Sequence, residues 1–131
     1  SARYFNVPFK FPAKFPMSTV SAARAYYWLH GQDCQKARDF ARAVFRAYWV
    51  DGRDISDLAV VSDIAANLGI DRDALAAGIA LPAIKERLKV ETDTALAKGM
   101  CGAPYFVVDG EPFWGADRLP QIEKWLATGG F

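Results

Sequence analysis

The sequence predicts a mostly helical α+β fold, and three observations carry the prediction. Apolar residues recur at helical spacing from Met17 to about Gly99. The pattern then shortens to a β-rich run, Tyr105 to Val108, followed by the hairpin signal Asp109-Gly110. A last amphipathic stretch runs from Asp117 to Gly129. With 131 residues, 52% hydrophobic and 24% charged, the chain is long enough to bury roughly two-thirds of its unfolded surface around one core.

The first 16 residues forbid a helix, because Pro8, Pro12 and Pro16 stand four apart with Phe9, Phe11 and Phe15 between them. They are expected to form an extended strap that inserts rings into a core. Ser18 or Thr19 then caps a first helix that ends at Gly31 with His30 in its last turn. In the second helix Ala37, Phe40, Ala41, Val44, Phe45 and Tyr48 form an apolar stripe that stops near Asp51 and Gly52.

Ser56 or Asp57 opens a third helix with Leu58, Val61, Ile64, Ala65 and Leu68 inward, closed by Gly69. Asp71 caps a short fourth that ends before Pro82, and Pro82 opens a fifth. The inner positions of the fifth are Ile84, Leu88, Thr92, Ala95 and Leu96, with Lys85, Glu86, Lys89, Glu91 and Lys98 in water until Gly99 stops it. After the hairpin, Phe113-Trp114 supplies the return strand and Gly115 breaks it. Asp117 is then expected to cap the last helix, with Pro120 in its first turn, Leu119, Ile122 and Leu126 inward, and Gly129 at its end.

Composition narrows the function. The net charge is +1, from 16 basic and 15 acidic residues mixed along the chain. That is no electrostatic footprint for nucleic acid or an anionic membrane. No apolar run approaches the roughly 18 residues of a membrane span, so the expected state is soluble and cytoplasmic. Cys34 and Cys101 are far apart, form no C-x-x-C pair, and with the single His30 make too few ligands for a metal.

The chemical argument lies in GAPYFVVDGEPFWGADR, residues 102–118. A proline directly before a strand takes the cis form at a cost of only about 0.5–1 kcal/mol, although the trans form has the better base rate. A cis Ala103-Pro104 bond turns the Ala103 backbone outward, where its N–H and C=O can pair with a peptide-like ligand as an added strand does. At Gly115-Ala116-Asp117 the free N–H groups of a helix start attract a carboxylate, and Asp117 can hold an ammonium. The plainer alternatives are a trans turn proline and a simple helix cap. Cys101 is expected to be a small buried thiol, and His30 a surface group facing a helix dipole. Tyr26, Tyr27, Trp28, Tyr48 and Trp49 read as core rather than as the wall of an aromatic pocket. The charges from Lys85 to Glu91 read as a solvated face.

Proline before a strand, a hairpin, F-W-G-x-D-R and a final helix ending W-L-x-x-G-G-F together resemble the carboxy-terminal end of the glutathione-dependent 2-hydroxychromene-2-carboxylate isomerases and kappa-class glutathione transferases. Those proteins have a DsbA-like thioredoxin fold with a helical bundle inserted before this unit. The five helices match that bundle in place and length, and PFKFP with FP resembles the segment leading into it. The resemblance implies a strap over 1–16, a helical insertion over 17–100 and a thioredoxin-like β-β-α unit over 101–131.

It further implies glutathione as cofactor. Ala103, before cis Pro104, would pair with the cysteinyl backbone, while Trp114, Gly115, Ala116 and Asp117 surround the γ-glutamyl end and Asp117 holds its amino group. Ala116 stands where kappa-class enzymes often have a serine, which argues for the isomerase branch. Full members carry an early serine-proline-aromatic motif whose serine favours the glutathione thiolate. No Ser-Pro pair occurs in these residues, so no catalytic residue is assigned and the chain alone is expected to be an inactive fragment. The implied reaction isomerises a small carboxylic acid derived from an aromatic compound, with glutathione as a recycled nucleophile. The implied partner is a second copy or a separate amino-terminal fragment, since the inner edge of the Tyr105 to Val108 strand would otherwise be unpaired. Alternatives are a non-catalytic glutathione- or peptide-binding module and, ranked third, a thiol-disulfide oxidoreductase of the DsbA kind or a kappa-class transferase.

Overall fold

The structure is a computed structural model that describes residues 2–131. The chain is α+β and mostly helical, with element order α1 (Val20–His30), α2 (Cys34–Trp49), α3 (Leu58–Ala66), α4 (Arg72–Ala80), α5 (Pro82–Ala97), β1 (Tyr105–Val108), β2 (Glu111–Trp114) and α6 (Leu119–Thr128). A single 3-10 turn, Ala116–Arg118, precedes α6. Two compact units divide within α5, the first ending at Lys89 and the second beginning at Val90.

In the first unit α1 packs mainly on α2 and α4, and α3 on α4. Its core is built from Ala22, Ala25 and Leu29 of α1, Ala37, Phe40, Val44, Ala47 and Tyr48 of α2, and Val61, Ile64, Leu75 and Ile79 beyond. Small residues on α1 and α4 let backbones approach. Gly78 lies so close to the Trp28 ring that any Cβ there would collide with it. Capping follows side-chain chemistry: Asp33 accepts from the N–H groups of Gln35 and Lys36, Asp57 from Ala59, and Asp71 from Ala74. Thr19 occupies the N-cap position of α1 without a side-chain bond.

The strap departs from expectation. Its first residues form a turn, with the Val7 N–H donating to the Ala2 carbonyl at 2.9 Å. Phe9, Phe11 and Phe15 remain 53%, 64% and 57% exposed, and Pro12 is the buried residue instead. The rings lie against the surface: Phe9 stacks on Trp49 with centroids 5.8 Å apart, and Phe15 tilts against the same indole. The reason is tethering by polar groups. The Lys10 N–H donates to the Trp49 carbonyl, and the Lys14 ammonium reaches both Asp54 and Ser56 at 3.1 Å.

Three stripe edges also differ. Phe45 is 64% exposed, because the buried face of α2 centres on Phe40, Val44 and Ala47, about a quarter-turn away. Leu58 and Leu68 lie at the exposed ends of the α3 segment. No residue of α5 is buried, with Thr92 and Leu96 exposed and Ile84, Leu88 and Ala95 half-buried.

The second unit is a hairpin with a helix. β1 and β2 pair antiparallel, Tyr105 with Trp114 and Phe106 with Phe113, and no third strand joins them among the described residues. Asp109 and Gly110 both have positive φ, 52° and 88°, as a two-residue I′ turn requires. Phe113 and Ile122 are buried, and the Trp125 ring meets Phe113 edge-on at 5.8 Å. The Trp125 indole N–H donates to the Asp109 carboxylate at 3.0 Å, tying helix to turn. Leu119 and Leu126, expected inward, are exposed, because one hairpin covers only one side of α6.

Candidate functional site

All six candidate residues lie in the second unit, around the end of the hairpin. The Ala103–Pro104 peptide bond is cis. Ala103 is exposed and lies outside the β1–β2 ladder, which starts at Tyr105. Among the described residues its N–H and C=O form no backbone hydrogen bond, so both are open to a ligand. Pro104 holds the far side of the hairpin, where its carbonyl accepts from the Gly115 N–H at 2.9 Å. Gly115 therefore closes the loop, and its N–H is not available to a ligand.

Gly115 has φ 108°, a conformation in which an L side chain is strained. A Cβ there would also collide with the Asp117 carboxylate, which folds back over the loop. Asp117 is not the cap of the last helix, as the sequence suggested. It lies inside the 3-10 turn, and Arg118 occupies the N-cap position without a side-chain bond. The turn displaces the helix start by one residue and leaves the carboxylate exposed. The Arg118 guanidinium lies 3.7 Å from it.

Trp114 is 57% exposed and leans on Gly102, where a Cβ would lie 2.6 Å from the indole nitrogen. The small residue at 102 thus lets the ring flank the turn that carries Ala103. Gly102 and Arg118 were not singled out from the sequence. Arg118 was visible inside F-W-G-x-D-R, next to an acid, whereas nothing in the local pattern marks Gly102.

The donor set suits a zwitterionic peptide. Ala103 offers one N–H and one C=O, Asp117 an exposed carboxylate, and Arg118 a guanidinium. Glutathione has complementary groups, a peptide backbone, an ammonium and two carboxylates, so the residues fit it. Cys101 is exposed rather than buried, because the segment before Pro104 runs along the surface. No cluster of three metal-ligating side chains occurs among the described residues, and none of the described helices is long and apolar enough to cross a membrane.

Other candidates lie in the first unit. The Cys34 sulfur is 3.7 Å from His30 Nε2 at the α1–α2 corner. Tyr26, Tyr27, Tyr48 and Trp49 line an apolar pocket of about 570 Å³, while Tyr48 is buried in the core and Tyr26 and Trp49 pack against it, in line with the reading of these rings as core. Trp28 likewise packs against the core, on Gly78.

The chain is 34% identical over 125 residues to a 2-hydroxychromene-2-carboxylate isomerase of Sphingobium xenophagum, covering 95% of this chain and 62% of that protein. It is 27% identical to the glutathione S-transferase kappa 2 of Caenorhabditis elegans, covering 97% and 62%. A solved 2-hydroxychromene-2-carboxylate isomerase superimposes with a TM-score of 0.79 at 27% identity, over 96% of this chain and 60% of that one. The chain thus spans about three-fifths of the length of these relatives. A family model for the DSBA-like thioredoxin domain matches residues 1–127, and the chain belongs to that family.

Proposed function

We propose that the protein is a glutathione-dependent isomerase of the 2-hydroxychromene-2-carboxylate type, acting on a small unsaturated carboxylic acid derived from an aromatic compound. The observation that carries the proposal is the juxtaposition, around one hairpin end, of the open Ala103 backbone and the exposed Asp117 carboxylate. Similarity to proteins named as isomerases and as a kappa-class glutathione transferase supports the same reading.

In this account Ala103 aligns the cysteinyl backbone through paired N–H and C=O groups. Asp117 holds the γ-glutamyl ammonium, while the open N–H and C=O of Ala103 fix the rest of the peptide. Trp114 shields one side of the bound peptide from water. Pro104 and Gly115 hold the loop so that these groups converge. The chemistry that glutathione supplies when bound is that of a recyclable sulfur nucleophile.

The chain spans about three-fifths of its relatives' length, so turnover is proposed for the whole protein and glutathione binding for this chain. A second reading is a glutathione-binding module without turnover. A homodimer and a cytoplasmic location, where glutathione stays reduced, complete the proposal.

The test follows 2-hydroxychromene-2-carboxylate and its ring-opened isomer by absorbance, with the whole protein and increasing glutathione. The isomerase reading expects a rate that saturates with glutathione while the glutathione concentration stays constant. Binding without turnover selects the module, and a rate indifferent to glutathione overturns both.

A further inference from the structure

The α1–α2 corner of the first unit places a nucleophile beside a base. Cys34, the first residue of α2, is exposed, and its sulfur lies 3.7 Å from Nε2 of His30 in the last turn of α1. The corner that joins them is closed by hydrogen bonds: the Leu29 carbonyl accepts from the Gln32 N–H at 2.9 Å and from the Asp33 N–H at 2.8 Å. The Tyr26 ring backs the imidazole, with centroids 5.7 Å apart. A thiol and an imidazole held together in this way stand in the relation of a nucleophile to its activating base.

The thiol proton has two acceptors within reach. The His30 carbonyl lies 3.8 Å from the same sulfur, but a carbonyl only shares a proton, whereas an imidazole with its own proton on Nδ1 can take one at Nε2. Nearby charge is divided. The start of the 16-residue α2 favours a thiolate through its dipole. The adjacent Asp33 carboxylate opposes one, although it is turned into the helix, where it accepts from the Gln35 and Lys36 N–H groups. The imidazole is therefore the group that tips the balance. One turn further on, on the same side of α2 as Cys34, Arg38 is exposed and has no hydrogen bond or ion pair among the described residues. An open guanidinium beside a nucleophilic sulfur favours an anionic reactant.

We propose that Cys34 is a modification site that exchanges with small anionic disulfides, with His30 as its base. Nε2 takes the thiol proton, and the Cys34 thiolate attacks one sulfur of the incoming disulfide. A bond forms between Cys34 and that sulfur, the incoming S–S bond breaks, and the departing thiolate takes the proton back from His30 and leaves as a thiol. The Cys34 sulfur is oxidised and the departing sulfur reduced, so no other oxidant is needed. The proposal is independent of the function assigned to the hairpin site.

The test uses the Cys101→Ser protein, in which Cys34 is the one remaining thiol, and follows by stopped-flow absorbance its reaction with dianionic dithiobis(nitrobenzoate) and with uncharged dithiodipyridine. Both reagents are expected to release their thiol, and neither does so after Cys34→Ser. His30→Gln is expected to slow both reactions at least about tenfold near neutral pH. The same variant should match its parent at about pH 10, where a thiol ionises without a base. Arg38→Gln is expected to slow the dianionic reagent about two- to threefold and the uncharged one hardly at all. Circular dichroism at both pH values checks that each variant is folded, and His30→Asn replaces His30→Gln should that variant unfold. A His30→Gln rate equal to the parent's near neutral pH overturns the proposal, because His30 is then no base. So does a slowing that persists undiminished at pH 10, which marks a purely structural role, and so does an Arg38→Gln effect equal for both reagents, which removes the preference for an anion.

Discussion

Gly78 of α4 lies flat against the indole of Trp28 of α1, so close that the chain tolerates no Cβ between them. This contact sets how near the two helices approach in the first unit. Gly78→Ala is expected to destabilise the protein by about 1–3 kcal/mol, the usual cost of overpacking a filled core. Urea unfolding followed by Trp fluorescence measures it. Gly69→Ala is the control for glycine removal in general, because nothing lies within 4 Å of a Cβ there although its φ is positive.

The Trp125 to Asp109 hydrogen bond should be the main polar tie between α6 and the hairpin. Asp109→Ala removes the acceptor and places a residue poorly suited to φ 52° in the turn. A loss of about 1–2 kcal/mol is expected. Asp109→Asn keeps both the acceptor and the tolerance for positive φ, so it should lose much less. Amide exchange of β1 and β2 distinguishes the two variants.

Asp54 anchors the strap, and its carboxyl is held below the usual carboxylate range, first by the Ser56 hydroxyl and then by the Lys14 ammonium. A folded-state value below the unfolded one means that ionised Asp54 favours the docked strap above the ordinary carboxylate range. That contribution is lost as the pH falls through the lowered folded value. A carbon-detected NMR titration should show Asp54 protonating at lower pH than a free aspartate, and Ser56→Ala should move it back up. An unchanged titration in Ser56→Ala would contradict the assignment of the cause.

Gly115→Ala combines an unfavourable φ of 108° with a collision at Asp117. It is expected to displace the carboxylate and weaken glutathione binding by about tenfold or more, since a charge-assisted hydrogen bond is worth about 1.5–3 kcal/mol. Calorimetry measures the affinity, and heteronuclear NMR of the Phe113 and Ile122 amides checks that the unit stays folded.

Much of this was legible in the amino-acid pattern, and the limits have physical causes. The stripe of α2 is a strong signal because Ala37, Phe40, Val44 and Tyr48 repeat over three turns. Asp109-Gly110 marks the hairpin because few other pairs accept two positive φ angles. Burial at the stripe edges was not legible. Phe45, Leu119 and Leu126 have the right spacing, yet what a helix buries depends on how wide a surface its neighbour offers. Aromatic residues carry the same ambiguity, since Trp28 and Trp49 both pack against the core, yet only Trp49 also lines the pocket, and nothing in the local sequence records the difference. The position of Asp117 was misread as a cap because a 3-10 turn intervenes before α6, and one extra turn leaves no periodic trace. The unusual turn that carries the candidate residues was legible because Gly, Pro and Asp mark such turns in the sequence.

The most direct test of the central claim is calorimetric titration with glutathione beside cysteinylglycine, which lacks the γ-glutamyl group, for the wild type and for Asp117→Asn. The account predicts that the wild type binds glutathione at least about tenfold more tightly than cysteinylglycine, and that Asp117→Asn removes most of that difference while leaving cysteinylglycine binding unchanged. Equal affinity for the two peptides, or a preference that survives Asp117→Asn, would contradict it.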